Sequence, residues 1–304
     1  MKIAFTSCMN LGEHPQQDVW DRIAAEHPDY LFLLGDQIYM DFFPHLGEPE
    51  GWPLTKFDAE MSAKYQAQWN QPQFRSLWDR MLTRRMNDGG VYGTWDDHDF
   101  AWNNANGVAV PADKKAIARR LFSQYMQIQP KENGIQYAVS LKHQATIVGK
   151  VIFLDTRWYR EPAGDNADLL GAEQFEFLRK ELDNVPGLII LCAGTPMRGT
   201  GKGWVPYRRD YQRFLQLVGD RKIIFLSGDI HENDFLPPST GTRLFEIISS
   251  GAAVTKYKLV GKRENFGVLE YTDSVTRVTL HDRHRRRQVY EINNSTFSYD
   301  EVDN

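Results

Sequence analysis

Cysteine is scarce in this chain of 304 residues: only Cys8 and Cys192 are present. Two thiols make no disulfide framework, and their rarity suits a reducing compartment. No apolar run approaches the roughly 18 residues that a membrane helix needs. Neither sign of charge is in excess. Lys and Arg number 36 against 40 Asp and Glu, a formal net charge of −4. Nucleic acid is therefore not expected as a main partner except as a nucleotide or phosphodiester substrate, and an anionic membrane is not expected either. The segment Met1–Cys8 turns polar too early for a signal peptide and reads as a strand, so a cytoplasmic location is expected. Internal repeats and low-complexity stretches are missing, and no Gly-x-x-x-x-Gly-Lys-Ser/Thr loop marks a P-loop ATPase. What the chain does have is apolar sequence, 41% of its residues, ample for a large core.

The apolar runs are short and bounded by turns, which predicts buried strands at 2–8, 30–36, 91–97, 151–157, 188–195 and 222–229. Helical spacing lies between them. Val19, Ile23 and Ala24 mark a first helix. Met61, Tyr65, Trp69, Phe74, Leu77, Trp78 and Met81 mark a second, longer one. Ile117, Leu121 and Tyr125 mark a third, Phe175, Leu178 and Leu182 a fourth, and Tyr211, Phe214, Leu215 and Val218 a fifth. Strands alternating with helices predict an α/β layered fold. Beyond about residue 240 only strands are expected, at 243–249, 265–271, 275–281 and 286–292, as a second sheet packed on the first. No linker separates this tail, so residues 1–304 read as one domain.

The strand ends carry the chemistry. In order they deliver Cys8, Asp36, Asp96-Asp97-His98, Asp155 with Arg157, Thr195, and Asp229 with His231. A single Asp after a strand is commonly a turn or cap, and a single buried Cys is commonly just packed. Independent caps need not all fall at one edge, however, and the carboxyl ends of strands are where an open α/β sheet keeps its ligands. Asp36 and Tyr39 are three apart and can face one cavity. A phenolate needs a strongly acidic ion to form far below its usual pKa of about 10, and the Cys8 thiolate asks for the same. Cys, Tyr, Asp and His together suit ferric iron better than magnesium or calcium, while zinc rarely takes tyrosine. Asp97 and Asp229 form a hard oxygen site for calcium, magnesium or manganese. Two ions ~3.5–4 Å apart clamp phosphate and generate a hydroxide nucleophile.

Four segments resemble those of the alkaline phosphatase D (PhoD-like) metallophosphatases: Gly35-Asp36-Gln37-Ile38-Tyr39, Trp95-Asp96-Asp97-His98-Asp99-Phe100, Asp155-Thr156-Arg157 and Gly228-Asp229-Ile230-His231. Weaker stretches, including Leu170-Gly171 and Ser249-Ser250-Gly251, fit in order, so the resemblance spans roughly residues 3–272. It implies a calcineurin-like sandwich of two β-sheets flanked by helices, in α-β-β-α layers. It implies iron on Cys8, Asp36, Tyr39 and His231, with Asp36 bridging to a second ion on Asp97 and Asp229. The family suggests calcium there, with magnesium, manganese and zinc as alternatives. Two departures stand out. The chain has Cys192-Ala193-Gly194-Thr195 where purple acid phosphatases, which are wider relatives, place a His. It has Ala101 and Asn104 where the family more often has Gly and Asp.

The expected reaction is hydrolysis of a small phosphoester, mono- or diester, by a metal-bridging hydroxide attacking in line. His98 is the expected proton donor to the leaving group, or else a residue that orients Asp36 or Asp97. Arg157 is the expected phosphate clamp, or else a structural pair with Asp155. Alternatives are a phosphotriesterase on the same site, and a catalytically weak protein that binds nucleotides or metals. Tyr39, Phe42, Phe43, Trp52, Trp69, Phe74 and Trp78 read as a pocket wall or, for Trp69 and Trp78, as helix packing. Trp158-Tyr159-Arg160 are expected at the substrate's organic group. The basic run His281-Asp282-Arg283-His284-Arg285-Arg286-Arg287 reads as a solvated hairpin tip, or else as a patch attracting phosphate-rich substrates.

Overall fold

Residues that are apolar on both faces build two buried sheets. The computed structural model describes all residues except 42–47, 130, 199–202, 256–261, 284–286 and 303–304. Its strands in chain order are β1 (Lys2–Thr6), β2 (Tyr30–Leu34), β3 (Gly90–Thr94), β4 (Tyr137–His143), β5 (Thr146–Phe153), β6 (Leu188–Cys192), β7 (Ile223–Ser227), β8 (Asn233–Leu236), β9 (Leu244–Ser249), β10 (Val254–Thr255), β11 (Lys262–Arg263), β12 (Asn265–Tyr271), β13 (Val275–Asp282), β14 (Gln288–Asn293) and β15 (Tyr299–Glu301). The helices are α1 (Val19–Ala25), α2 (Leu54–Trp69), α3 (Pro72–Arg84), α4 (Asp97–Phe100), α5 (Ala112–Met126), α6 (Gly171–Leu182) and α7 (Arg208–Val218).

The first sheet runs β15-β14-β13-β12-β1-β2-β3 and the second β4-β5-β6-β7-β9-β8, with β10 and β11 as a separate pair. Ile3, Phe5, Phe32 and Leu34 of the first sheet meet Phe153, Ile190, Leu226 and Ile247 of the second in a shared core. On the outer side of the first sheet, Leu31, Leu33 and Val91 pack beneath Trp20, Tyr65, Trp78 and Leu121 of α1, α2, α3 and α5. On the outer side of the second, Ile189, Leu191 and Phe225 pack beneath Phe175, Leu178 and Phe214 of α6 and α7. The result is helix, sheet, sheet, helix. Burial on both faces explains why the central strands read as unbroken apolar runs. Within each sheet β1-β2-β3 and β5-β6-β7 are parallel, so each set sends its C-terminal ends to one edge.

Three expectations change. The long second helix is two, because Asn70-Gln71-Pro72 breaks it: Gln71 caps α3 by accepting from Phe74 N at 2.7 Å, and Pro72 has no amide to continue α2. The C-terminal strands do not form a sheet of their own. β9 enters the second sheet beside β7, and β12 pairs antiparallel with β1, so that β12–β15 extend the first. Strands β4 and β8 were not expected: β4 is a half-exposed partner of β5, and β8 is an edge strand without a clean apolar face.

Trp52, Trp69, Phe74 and Trp78 are buried in the outer core, and Trp69 and Trp78 also line a cavity of about 290 Å³ away from the metal centre; Phe42 and Phe43 lie outside the described residues. The basic run joins β13 to β14. Arg283 pairs with Glu264 at 2.8 Å and Arg287 with Glu26 at 3.3 Å, while His284, Arg285 and Arg286 lie outside the described residues. No helix among the described residues is long and apolar enough to cross a membrane.

Candidate metal centre

Four of the strand-end residues turn sharply out of their sheets. Cys8 (φ 60°), Asp36 (54°), Asp229 (71°) and His231 (60°) have left-handed backbones although none is glycine. Each such residue costs roughly 1 kcal/mol or more and persists where the surroundings over-determine it, as they do at functional sites. Glycines at the strand ends permit close approach. A Cβ on Gly35, itself at φ +90°, would stand 2.6 Å from Asp96 Cβ, and a Cβ on Gly194 would meet the same atom at 2.6 Å. The ends of β2, β3 and β6 can therefore crowd round Asp96.

Among the described residues, three sets of side chains bring possible ligand atoms within 4.8 Å of one another: Cys8, Asp36 and His231; Asp36, Asp97 and His98; and Asp36, Asp96, Asp97 and Asp229. Asp36 belongs to all three. The Tyr39 hydroxyl lies 3.5 Å from Asp36 Oδ2 and 3.4 Å from His231 Nε2. The structure thus gathers Cys8, Asp36, Tyr39, Asp97, Asp229 and His231 at one place. Ser250 ties two of them together, since its Oγ is 3.4 Å from Cys8 Sγ and accepts from His231 N at 2.9 Å.

The donor set fits cations. Burial, and then the charge of Asp36, pushes the Cys8 thiol well up. Burial, and then Asp97, pushes Asp36 well up. Burial, then Cys8 and Asp36, does the same to Tyr39. Three adjacent acids that hold their protons so firmly ionise together only beside a polyvalent cation. Asp97 is the opposite case: burial alone would raise it, but Arg157 and then His98 overcome that and hold it well below the usual carboxylate range. Asp96, named in the sequence only as a strand-end residue, is a further candidate donor. Asp96 Oδ2 is buried without a hydrogen-bond partner among the described residues, within a ligand-capable set, while its Oδ1 is fully engaged.

That engagement changes the expectation for Arg157. Its side chain is only 4% exposed. Nε donates to Asp96 Oδ1 at 2.6 Å, one terminal nitrogen to Ala105 O at 3.2 Å and the other to Thr195 Oγ1 at 3.1 Å. Arg157 is buried behind the carboxylates, where it braces them. Its partner is Asp96 rather than Asp155, which accepts only the Arg157 backbone amide, at 2.9 Å. Thr195, at the place where the wider relatives have His, bonds Asp96 Oδ1 at 2.8 Å. Asp99 fastens the loops after β2 and β3 by accepting from Gln37 N at 3.1 Å and Asp96 N at 2.6 Å. Asn104 joins through its backbone, donating to Asp97 Oδ2.

His98 stands over this cluster. Its ring stacks on Tyr39 with centroids 4.2 Å apart, and its backbone amide donates to Asp97 Oδ1 at 3.1 Å and to Asp36 Oδ1 at 3.4 Å. Its Nδ1 lies 2.6 Å from Asp41 Oδ1, and Asp41 is itself held by Asn103 N at 2.8 Å. Burial opposes charge on His98, but Asp97, Asp36 and Asp41 outweigh it and push the ring up to about 10. Asp41 was missed in the sequence: it is the second residue after Tyr39, in a stretch with no periodic signal. Of the aromatic stretch after β5, Trp158 stacks on Trp95 and packs against the outer core. Arg160 bonds Thr195 and Tyr207 and lines a cavity of about 210 Å³ with Asn104.

Residues 3–188 match the PhoD-like phosphatase family. The chain belongs to that family. As a PhoD-like phosphatase it is a metal-dependent phosphoester hydrolase. Among solved structures it resembles PhoD, at a TM-score of 0.66 and 16% identity over all of this chain and 71% of that one. It also resembles a dimetal phosphatase from Danio rerio, at a TM-score of 0.55 and 11% identity over 97% of this chain and 99% of that one. At such identities the likeness is one of fold, the calcineurin-like double sheet. No curated protein matches the chain.

Proposed function

We propose that this PhoD-like chain hydrolyses small phosphomonoesters and phosphodiesters at a two-cation centre. Cys8, Asp36, Tyr39 and His231 hold ferric iron; Asp36, Asp97 and Asp229 hold calcium, with magnesium, manganese or zinc as alternatives. The observation that carries the reading is the membership of Asp36 in every ligand-capable set, the position of a bridging carboxylate. Thiol, phenol and imidazole lie on one side of it and carboxylates on the other, which suits a strongly Lewis-acidic trivalent ion beside a hard divalent one. When bound, the two ions supply Lewis acidity toward the phosphate oxygens and acidify an attacking water.

The chain's own residues do the rest. His98, held through Nδ1 by Asp41, keeps Nε2 for the proton that the leaving alkoxide takes. Asp41 fixes the ring and supports its charge. Arg157 holds Asp96 and, 3.9 Å from Asp97 Oδ1, keeps that carboxyl ionised. Residues 1–304 act as one domain in this reading, since β12–β15 share the inter-sheet core with β1 and β2.

Elemental analysis of freshly isolated protein, joined to rates on p-nitrophenyl phosphate, its bis-ester and a triester, tests the reading. Iron and calcium near one each per chain, a visible charge-transfer band and preference for mono- or diester are expected. A colourless protein without iron defeats the ferric assignment, and fastest turnover of the triester defeats the substrate class. His98→Ala should keep both metals and lose about 10²–10⁴ in kcat; an unchanged kcat removes His98 from the mechanism.

A further inference from the structure

A cavity of about 340 Å³ opens beside the iron-side ligands. Its walls come from the loop after β1 (Met9, Leu11), the loop after β2 (Ile38, Tyr39) and the outer face of α2 (Ala63, Ala67). Met9 directly follows Cys8, and Tyr39 is shared between cavity and metal centre, so its inner end abuts the ligands. Its mouth is open, because Ala63 and Ala67 are exposed. The volume suits a small organic group, and such sites are mostly apolar with a few polar atoms that set orientation.

Here the polar side chains on the wall are few, and most of their bonding atoms already have partners. Gln68 exchanges hydrogen bonds with Gln17 at 2.9 and 3.2 Å. Gln37 donates to Thr94 O at 2.7 Å, and its Oε1 is buried with no hydrogen-bond partner among the described residues, the one side-chain acceptor there left to a ligand. Asn10 accepts from Glu13 N at 3.2 Å. A nucleobase or a sugar entering the cavity would exchange hydrogen bonds to water for few in return, which is costly. An aryl or alkyl group gives up none. The lining also includes Lys64, whose ammonium feels Glu60 and Asp41 and whose methylene stem adds apolar wall. Since Tyr39, on the wall, stacks on His98 with centroids 4.2 Å apart, the cavity adjoins the residue proposed to protonate the leaving group.

We infer that the cavity between Met9, Tyr39 and Ala67 receives the alcohol portion of the substrate, and that this portion is an apolar aryl or alkyl group rather than a sugar or nucleoside. The inference rests on the phosphoesterase reading and names its substrate class. It is tested by kcat/KM for 2-naphthyl phosphate against glycerol 2-phosphate, in the wild type and in Ala67→Trp and Ala63→Leu, each of which narrows the cavity from an exposed position. The wild type should favour the naphthyl ester at least about tenfold, and each variant should lower that ratio about tenfold, mainly through KM. The ratio within one protein corrects for any loss of folded enzyme. Binding of 2-naphthol, followed by calorimetry, should weaken in parallel. Equal rates on the two esters, or a ratio indifferent to both substitutions, overturn the inference and leave the phosphoesterase reading standing. Absence of turnover on every ester with iron and calcium supplied, together with 2-naphthol binding that Ala67→Trp abolishes, sinks the phosphoesterase reading but keeps an apolar site.

Discussion

Asp36 and Asp155 occupy equivalent places, each just beyond the C-terminal end of a buried parallel strand, yet their surroundings differ. Asp155, on the second sheet, is saturated: Oδ1 accepts from Trp95 Nε1 at 2.8 Å and from the Arg157 and Trp158 amides at 2.9 Å, and Oδ2 from Ile135 N at 3.1 Å. Asp36, on the first sheet, receives one long amide bond at 3.4 Å; its other neighbours are a thiol at 3.3 Å and a phenol at 3.5 Å, both acids. A carboxylate whose lone pairs are filled by N–H groups fastens a loop, whereas one surrounded by other acids is poised to meet a cation. The contrast extends to the sheets. The ends of β1, β2 and β3 supply Cys8, Asp36, Asp96, Asp97 and His98 to ligand-capable sets, while among the described residues of the second sheet the end of β7 alone does so, through Asp229 and His231. Thr195, after β6, braces Asp96 instead.

Exchanging single atoms at these positions should break the symmetry of placement. The largest effect belongs to Asp36→Asn, which should lose both ions and at least about a thousandfold in kcat, as removal of several kcal/mol of charge stabilisation implies. Asp41→Asn comes next: it should retain both ions and lower kcat about 10–100-fold, because it loosens His98 without touching a ligand. Steady-state kinetics with metal analysis separates the two. Asp155→Asn should destabilise the fold by about 2–4 kcal/mol in a denaturant titration, since an amide nitrogen would then face N–H donors.

The smallest effect tests another second-sheet carboxylate. Glu246 is fully buried, accepts from the Met197 and Arg198 amides, the latter at 2.8 Å, and pairs with the Arg198 side chain at 3.3 Å. Burial, only partly offset by those donors, pushes it up to about 7. The unfolded chain ionises this group near 4.5, so its neutral form favours the fold fully below that pH, and the contribution is lost as pH rises toward 7. Glu246→Gln should flatten that part of the stability–pH curve, by at most about 3 kcal/mol.

Much of this was legible in the sequence, for physical reasons. Strands buried on both faces leave unbroken apolar runs, so β1, β2, β6 and β7 stood out, and ligands set at strand ends keep a fixed place in the chain. Strand partnership was not legible: β12 reads the same whether it pairs with β1 or starts a new sheet. Side-chain direction was not legible either. Arg157 leaves its strand end as a clamp would, and only the position of Asp96 shows that it turns inward. Asp41 becomes visible only once the loop after β2 lies against α4, and the cavity beneath α2 only once exposed alanines face Met9 and Ile38.

Between Asp36 and Asp155, saturation by N–H donors rather than place on the strand separates a cation ligand from a brace. Iron and second-metal content per folded chain, measured side by side for Asp36→Asn and Asp155→Asn, tests it most directly. Asp36→Asn should lose both ions, and the folded fraction of Asp155→Asn should keep the wild-type content. Full metal content in Asp36→Asn, or equal loss from both variants, contradicts it.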